Sequence, residues 1–145
     1  MDKNLWLIKL SESPATQFWK VDFGELSAAE KVFVAIWGLE ADVNNGGFSQ
    51  YYYNSAGDHA MHAPGALRAI GANTMAGIVE QANAQFGAGG PPADRDERQN
   101  ALDALAGKAD DAWLELSGQF QDYPENLTEL LYAYVQANKA QIKGV

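Results

Sequence analysis

The stretch from Leu26 to Gly57, LSAAEKVFVAIWGLEADVNNGGFSQYYYNSAG, decides how the rest of the chain is read. Ser27 followed by Glu30 has the form of a capping box, in which the hydroxyl takes a free amide of the first turn and the carboxylate reaches back to the cap. Val32, Ile36, Leu39 and Val43 recur at helical spacing and Phe33 and Trp37 widen their stripe, which predicts a central helix from Ser27 to Val43 with one broad buried face. Asn44-Asn45-Gly46-Gly47 tolerates left-handed dihedrals, so the helix stops there and the chain turns sharply. A second, shorter helix follows, with Phe48, Tyr51 and Tyr52 on one face and Gln50 and Tyr53 elsewhere on its surface.

Working outward, Pro64-Gly65 starts or interrupts a helix carrying Leu67 and Ile70, and Gly71 ends it. Met75, Ile78, Val79, Ala82 and Phe86 predict another helix that stops at Gly87, where the Gly- and Pro-rich stretch 87–93 forms an exposed loop. Asp94 with Glu97 repeats the cap pattern ahead of a helix whose apolar face is Ala101, Leu102 and Leu105, and Gly107 ends or kinks it. Trp113, Leu116 and Phe120 mark a further helix. Pro124 then precedes the cleanest stripe in the sequence, Leu127, Leu130, Leu131, Tyr134, Val135 and Asn138, which predicts a second central helix from Glu125 to Gln141. Upstream, the apolar run Leu5 to Leu10 fits helix or strand equally. Pro14 starts a short helix carrying Phe18, Trp19 and Val21, so residues 1–24 form an arm across the core. No segment alternates with period two, and the expectation is a compact all-α single domain over residues 1–145 with about six or seven helices.

The 145 residues are 47% hydrophobic and 20% charged, which is the composition of a folded chain that can bury a core. There is no cysteine, which removes disulfides, thiolate metal sites and thiol nucleophiles. No apolar run is long enough for a membrane span or a signal-peptide core, so a cytoplasmic protein is expected. A net charge of −9 repels phosphates and anionic membranes and favours basic partners, so neither direct nucleic-acid binding nor membrane binding is expected. Residues 94–129 hold ten Asp and Glu against Arg95, Arg98 and Lys108, a local net of −7.

Several constellations hold residue types that can carry chemistry. Asp58, His59 and His62 have spacing that could bring two imidazoles to one side of a helical turn, but a metal site needs three or four ligands and the local sequence supplies no others, so no metal or other cofactor is expected. Gly46-Gly47 could cradle an anion, yet no Lys or Arg occurs between Lys31 and Arg68 to assist. Asn44, Asn45, Ser49, Gln50 and Tyr53 could line a small polar pocket, and with His59 and His62 they define an alternative function as a small-molecule or metal-binding module. Short polar side chains at a corner more commonly satisfy backbone groups. Glu40 and Asp42, two residues apart on a helix, diverge by about 160° and make poor acid-base partners. With no nucleophile elbow and no Ser-His-Asp arrangement, no enzyme is expected.

The string Asn44, Asn45, Gly46, Gly47, Phe48, Ser49, Gln50, then Tyr51 to Tyr53, Asn54, Ser55 and Gly57, resembles the turn motif of the bacterial DNA-mimic protein family, long catalogued as a domain of unknown function. Ala66 to Ala72 and Leu130 to Val135 are similar to the family's later landmarks, in the same order, so the resemblance covers roughly residues 26 to 142. It implies an acidic surface that occupies the DNA-binding face of a basic protein such as a transcription regulator. Asp96, Glu97, Asp103, Asp110, Asp111 and Glu115 are the expected contact residues. If residues 94–129 were all helical, their acids would recur roughly every 5.4 Å against about 1.7 Å per charge in duplex DNA. One acidic run is too sparse, and a homodimer joining two is therefore expected.

Overall fold

In the computed structural model, which describes residues 1–145, the capping box assembles as its residues dictate. The Ser27 hydroxyl accepts the Glu30 amide at 3.1 Å, and the Glu30 carboxylate accepts the Ser27 amide at 2.9 Å. Glu30 is 1% exposed and also takes the Gln17 side-chain amide at 2.9 Å and the Lys143 backbone amide at 3.3 Å. Burial opposes its ionisation, but these hydrogen bonds outweigh burial and hold the carboxyl below its ordinary value. From this box runs α2 (Ala28–Tyr53), a long helix bent at its two central glycines. Its stripe of Val32, Phe33, Ile36, Leu39 and Val43 is buried, and Trp37, partly buried, stacks on Phe33 with centroids 5.3 Å apart.

Six further helices surround it and no strand is present: α1 (Lys3–Glu12), α3 (Ala63–Ala69), α4 (Asn73–Ala84), α5 (Arg95–Leu105), α6 (Asp110–Gln121) and α7 (Leu127–Ala137). The all-α expectation holds, with seven α-helices around one cluster of 34 buried hydrophobic residues. The heart of that cluster lies where α2 packs against α3 and α6, with α4 behind them. After the bend, Phe48, Tyr51 and Tyr52 are fully buried, and Phe48 meets Phe120 of α6 edge-on at 6.1 Å. The Tyr52 hydroxyl donates to Asn83 of α4 at 2.6 Å. No helix is long and apolar enough to cross a membrane.

Three local expectations need correction, and the open reading of the run from Leu5 is decided. Residues 13–22 form turns in place of a helix started by Pro14, followed by a 3-10 turn at Phe23–Glu25. Side chains compete for the backbone there: Thr16 donates to the Ser13 carbonyl at 3.0 Å, and Trp19 donates to the Ser11 carbonyl at 2.8 Å. The run from Leu5 is helical, starting from Asp2, whose carboxylate accepts the Leu5 amide. α4 ends at Ala84, so Phe86 lies beyond the helix, though it still packs against Tyr52 at 4.8 Å. α7 is shorter than Glu125 to Gln141; it adds Leu127, Leu131 and Val135 to the core and packs chiefly on α1, where Trp6 meets Tyr132 edge-on at 5.1 Å. Glu125 does not enter α7; it caps α4 instead, accepting the amides of Thr74 at 2.7 Å and Met75 at 2.8 Å. Asn138 closes α7 by donating to the Tyr134 carbonyl, and a 3-10 turn at Lys139–Gln141 follows.

Candidate functional site

The bend in α2 is built by Gly46 (φ −154°, ψ 15°) and Gly47 (φ 76°, ψ −174°). The second pair of angles is one that only glycine adopts without strain, and a Cβ at Gly47 would come within 2.9 Å of the Ser117 hydroxyl of α6. That hydroxyl accepts the Phe48 amide at 2.9 Å and donates to the Trp113 carbonyl at 2.6 Å, so α6 satisfies an amide that the bend releases. On the other side of the bend, Gln121 donates to the Val43 carbonyl at 2.8 Å.

The polar residues of the motif are spent on one another. Asn45 donates to Gln50 at 3.1 Å, and Gln50 donates to Asp42 at 3.0 Å, which also accepts from Asn54 at 3.3 Å. Asn44 donates to the Tyr123 hydroxyl at 2.6 Å, which donates to Glu40 at 3.2 Å. Burial raises the Glu40 carboxyl against the lowering effect of that bond. Glu40 and Asp42 thus serve different partners, as their divergence on the helix predicts. Tyr53 is 57% exposed, beside the Arg95 guanidinium, and Ser49 is exposed at the rim. Between the bend and α6 lies a cleft of about 510 Å³, with Asn44, Asn45 and Ser49 on one side and Asp110, Asp111 and Leu114 on the other; no lysine or arginine lines it.

Asp96, Glu97, Asp103, Asp110, Asp111 and Glu115 are all exposed. None takes part in the ion pairs, which are Lys3 with Glu129, Arg68 with Glu80 and Arg98 with Asp58. Their arrangement is split. Asp96 and Asp103 lie two turns apart on one side of α5, about 20° from each other, and Glu97 is about 100° around from Asp96. Asp110 and Asp111 open onto the cleft beside the bend, whereas Glu115 borders a separate groove with Gln81 of α4 and Gln85 just past its end.

What holds α5 in place was not visible as a pattern. Its apolar residues Ala101, Leu102 and Leu105 are only partly buried, and its one buried residue is Arg98, at 0% exposed. The guanidinium donates to the carbonyls of Tyr52 at 2.6 Å, Asn54 at 2.7 Å, and Pro92 and Ala93 at 3.1 Å each, and to the Asp58 carboxylate at 2.9 Å. Arg95 and Gln99 both donate to the Tyr53 carbonyl at 3.0 Å. A cation therefore sits on the negative end of α2 and closes the carbonyls of Tyr52 and the cap residue Asn54, while Arg95 and Gln99 close that of Tyr53. Gly57 makes room, since a Cβ there would lie 2.9 Å from the Arg98 Nε atom. The sequence signal for this was Arg98 itself, at an inward position of a capped helix, read only as charge.

Asp58, His59 and His62 do not converge. Asp58 pairs with Arg98, while His59 and His62 stand edge-on to Phe23 at 3.9 and 5.3 Å. Burial lowers both imidazoles below their ordinary value, and no group of three metal-ligating side chains occurs.

The model of a family described as DMP19-like protein matches residues 24–138, most of the chain. No curated protein and no solved structure matches.

Proposed function

This chain belongs to the DMP19-like protein family, and on that premise we propose that it is an acidic protein-binding module occupying the DNA-binding surface of a basic partner, such as a transcription regulator. The observation that carries this reading is the state of its carboxylates. All six of the expected contact acids face solvent and none is neutralised by an ion pair within the chain, so their charge is available to a partner. The acids are distributed over α5, the cleft beside the bend and the α4 groove, which suits a partner that wraps or a homodimer that brings two such flanks together. Fixed carboxylates carry no condensed counterion layer, so the complex loses affinity with salt less steeply than the same partner's DNA complex.

The test is capture of a basic partner from native extract, followed by competition with DNA. Asp103→Asn with Asp110→Asn and Asp111→Asn weakens capture while the helical spectrum stays intact. Unchanged capture by that triple variant, or simultaneous binding of DNA and this protein by the partner, would sink mimicry through this flank. Sedimentation of the purified protein decides the dimer.

A further inference from the structure

Of the chain's asparagines, Asn45 alone is followed by glycine. That order matters chemically, because the amide nitrogen of the following residue can attack the asparagine side-chain carbonyl. Glycine has no Cβ, so it leaves that nitrogen unshielded and the backbone beside it free to turn. An asparagine inside a regular helix is protected, since the hydrogen-bond ladder fixes the chain on both sides of it. At the bend of α2 that protection ends just beyond Asn45: Gly46 and Gly47 leave helical dihedrals, and the Phe48 amide goes to the Ser117 hydroxyl of α6 at 2.9 Å. Asn45 and Gly46 are both exposed and line the cleft beside the bend, so water reaches them. The packing also demands glycine at this place, because a Cβ on Gly46 would run into the Gln50 carboxamide.

We infer that Asn45 is a site of spontaneous deamidation and that Gln50 sets its rate. The Gly46 nitrogen bonds to the Asn45 side-chain carbonyl carbon, the bond from that carbon to Nδ2 breaks, and the proton lost by Gly46 ends on the departing ammonia. A five-membered imide remains. Water then opens it at either carbonyl and leaves aspartate or isoaspartate at position 45, so the net reaction consumes a water and releases an ammonia, with nothing oxidised or reduced. The restraint on this step is a pair of bonds: Asn45 Nδ2 donates to Gln50 Oε1 at 3.1 Å, and Gln50 is anchored by its own donation to Asp42 at 3.0 Å. They hold the Asn45 carboxamide against the rotation that would bring its carbon onto the Gly46 nitrogen. The two products act differently. Aspartate puts a further carboxylate on a cleft wall that already faces Asp110 and Asp111 and has no lysine or arginine, whereas isoaspartate lengthens the backbone at a bend fixed by the Gly47 angles and the Phe48 bond to Ser117. The chemistry needs no partner, so it stands apart from the partner-binding reading.

The experiment incubates the full chain in mildly alkaline buffer and follows each asparagine by peptide mass spectrometry, with isoaspartate separated from aspartate by chromatography. Conversion is expected at Asn45 ahead of every other asparagine, with ammonia released in equal amount. In Gln50→Ala the rate should rise roughly two- to tenfold, the factor that loss of one hydrogen bond supplies. Hydrogen exchange at the Phe48 amide should stay as slow as in the parent chain, since that amide is held by Ser117 and not by Gln50. If Asn45 converts no faster than Asn54, which precedes Ser55, the site is overturned. An unchanged rate in Gln50→Ala overturns the role of Gln50. So does a faster rate accompanied by fast exchange at Phe48, because the whole bend would then have loosened.

Discussion

The bend of α2 and the docking of α5 are joined by one end of the same helix, yet they are held by opposite means. At the bend, Phe48, Tyr51 and Tyr52 bury their rings and two α6 side chains, Ser117 and Gln121, repair the backbone. At α5, a single wholly buried cation replaces the apolar face, reaching carbonyls of α2 and of the loop before α5. Packing spreads its cost over many contacts, whereas a buried arginine concentrates it in one residue.

The sharpest way to break this comparison is Arg98→Ala. It strands the Tyr52, Asn54, Pro92 and Ala93 carbonyls together while Asp58, partly exposed, turns to water, and with about 1–3 kcal/mol for a buried acceptor left unpaired the total loss expected is about 3–5 kcal/mol. Leu102→Ala on the same helix should cost well under half as much in a denaturant melt; an equal loss would mean that α5 docks by its apolar face after all. Gly47→Ala ranks next. The residue would have to keep φ near 76° with its Cβ against Ser117, which predicts roughly 1–3 kcal/mol of destabilisation, and Gly24→Ala, where nothing lies within 4 Å, gives the unstrained control.

The smallest effect expected is with pH. Burial lowers His59 and His62 in the folded state, so the stability they contribute is complete above the unfolded value near 6.5 and is lost as pH falls through the lower folded values. The melting temperature should therefore be flat from about pH 7 to 8 and begin to fall below about 6.5, ahead of the carboxylate range. A double variant His59→Gln with His62→Gln should flatten that slope. A slope that still begins near 6.5 would show that the two imidazoles are not its source, because Glu30 and Glu125, whose carboxyls are held low, lose their contribution only at more acid pH.

These two regions also mark what could be read in advance. Ser27, Glu30, the stripe from Val32 to Val43 and the glycine pair announce a capped, buried helix that stops at a turn before a second one, because each of those signals is local in sequence; in the structure the two run on as the arms of one bent helix. The position of α7 could not be read, because its stripe states that one face is buried and leaves open against what; the answer is α1, whose own pattern was ambiguous. Arg98 escaped for a related reason: its acceptors are carbonyls, which every residue carries and no pattern displays. For the acids, exposure was legible residue by residue, but the division between α5, the cleft and the α4 groove depends on how helices pack.

Glu30 ties the first turn of α2 to the far end of the chain. Its bonds to Ser27 close within a single turn, while its bond to the Lys143 amide spans 113 residues, so the same carboxylate takes part in one of the most local contacts and one of the most distant. Nucleating α2 requires only the first, and bringing residue 143 home requires the loop-closure entropy of nearly the whole chain. A single side chain therefore joins a contact that needs almost no loop closure to one that needs nearly the largest the chain can require.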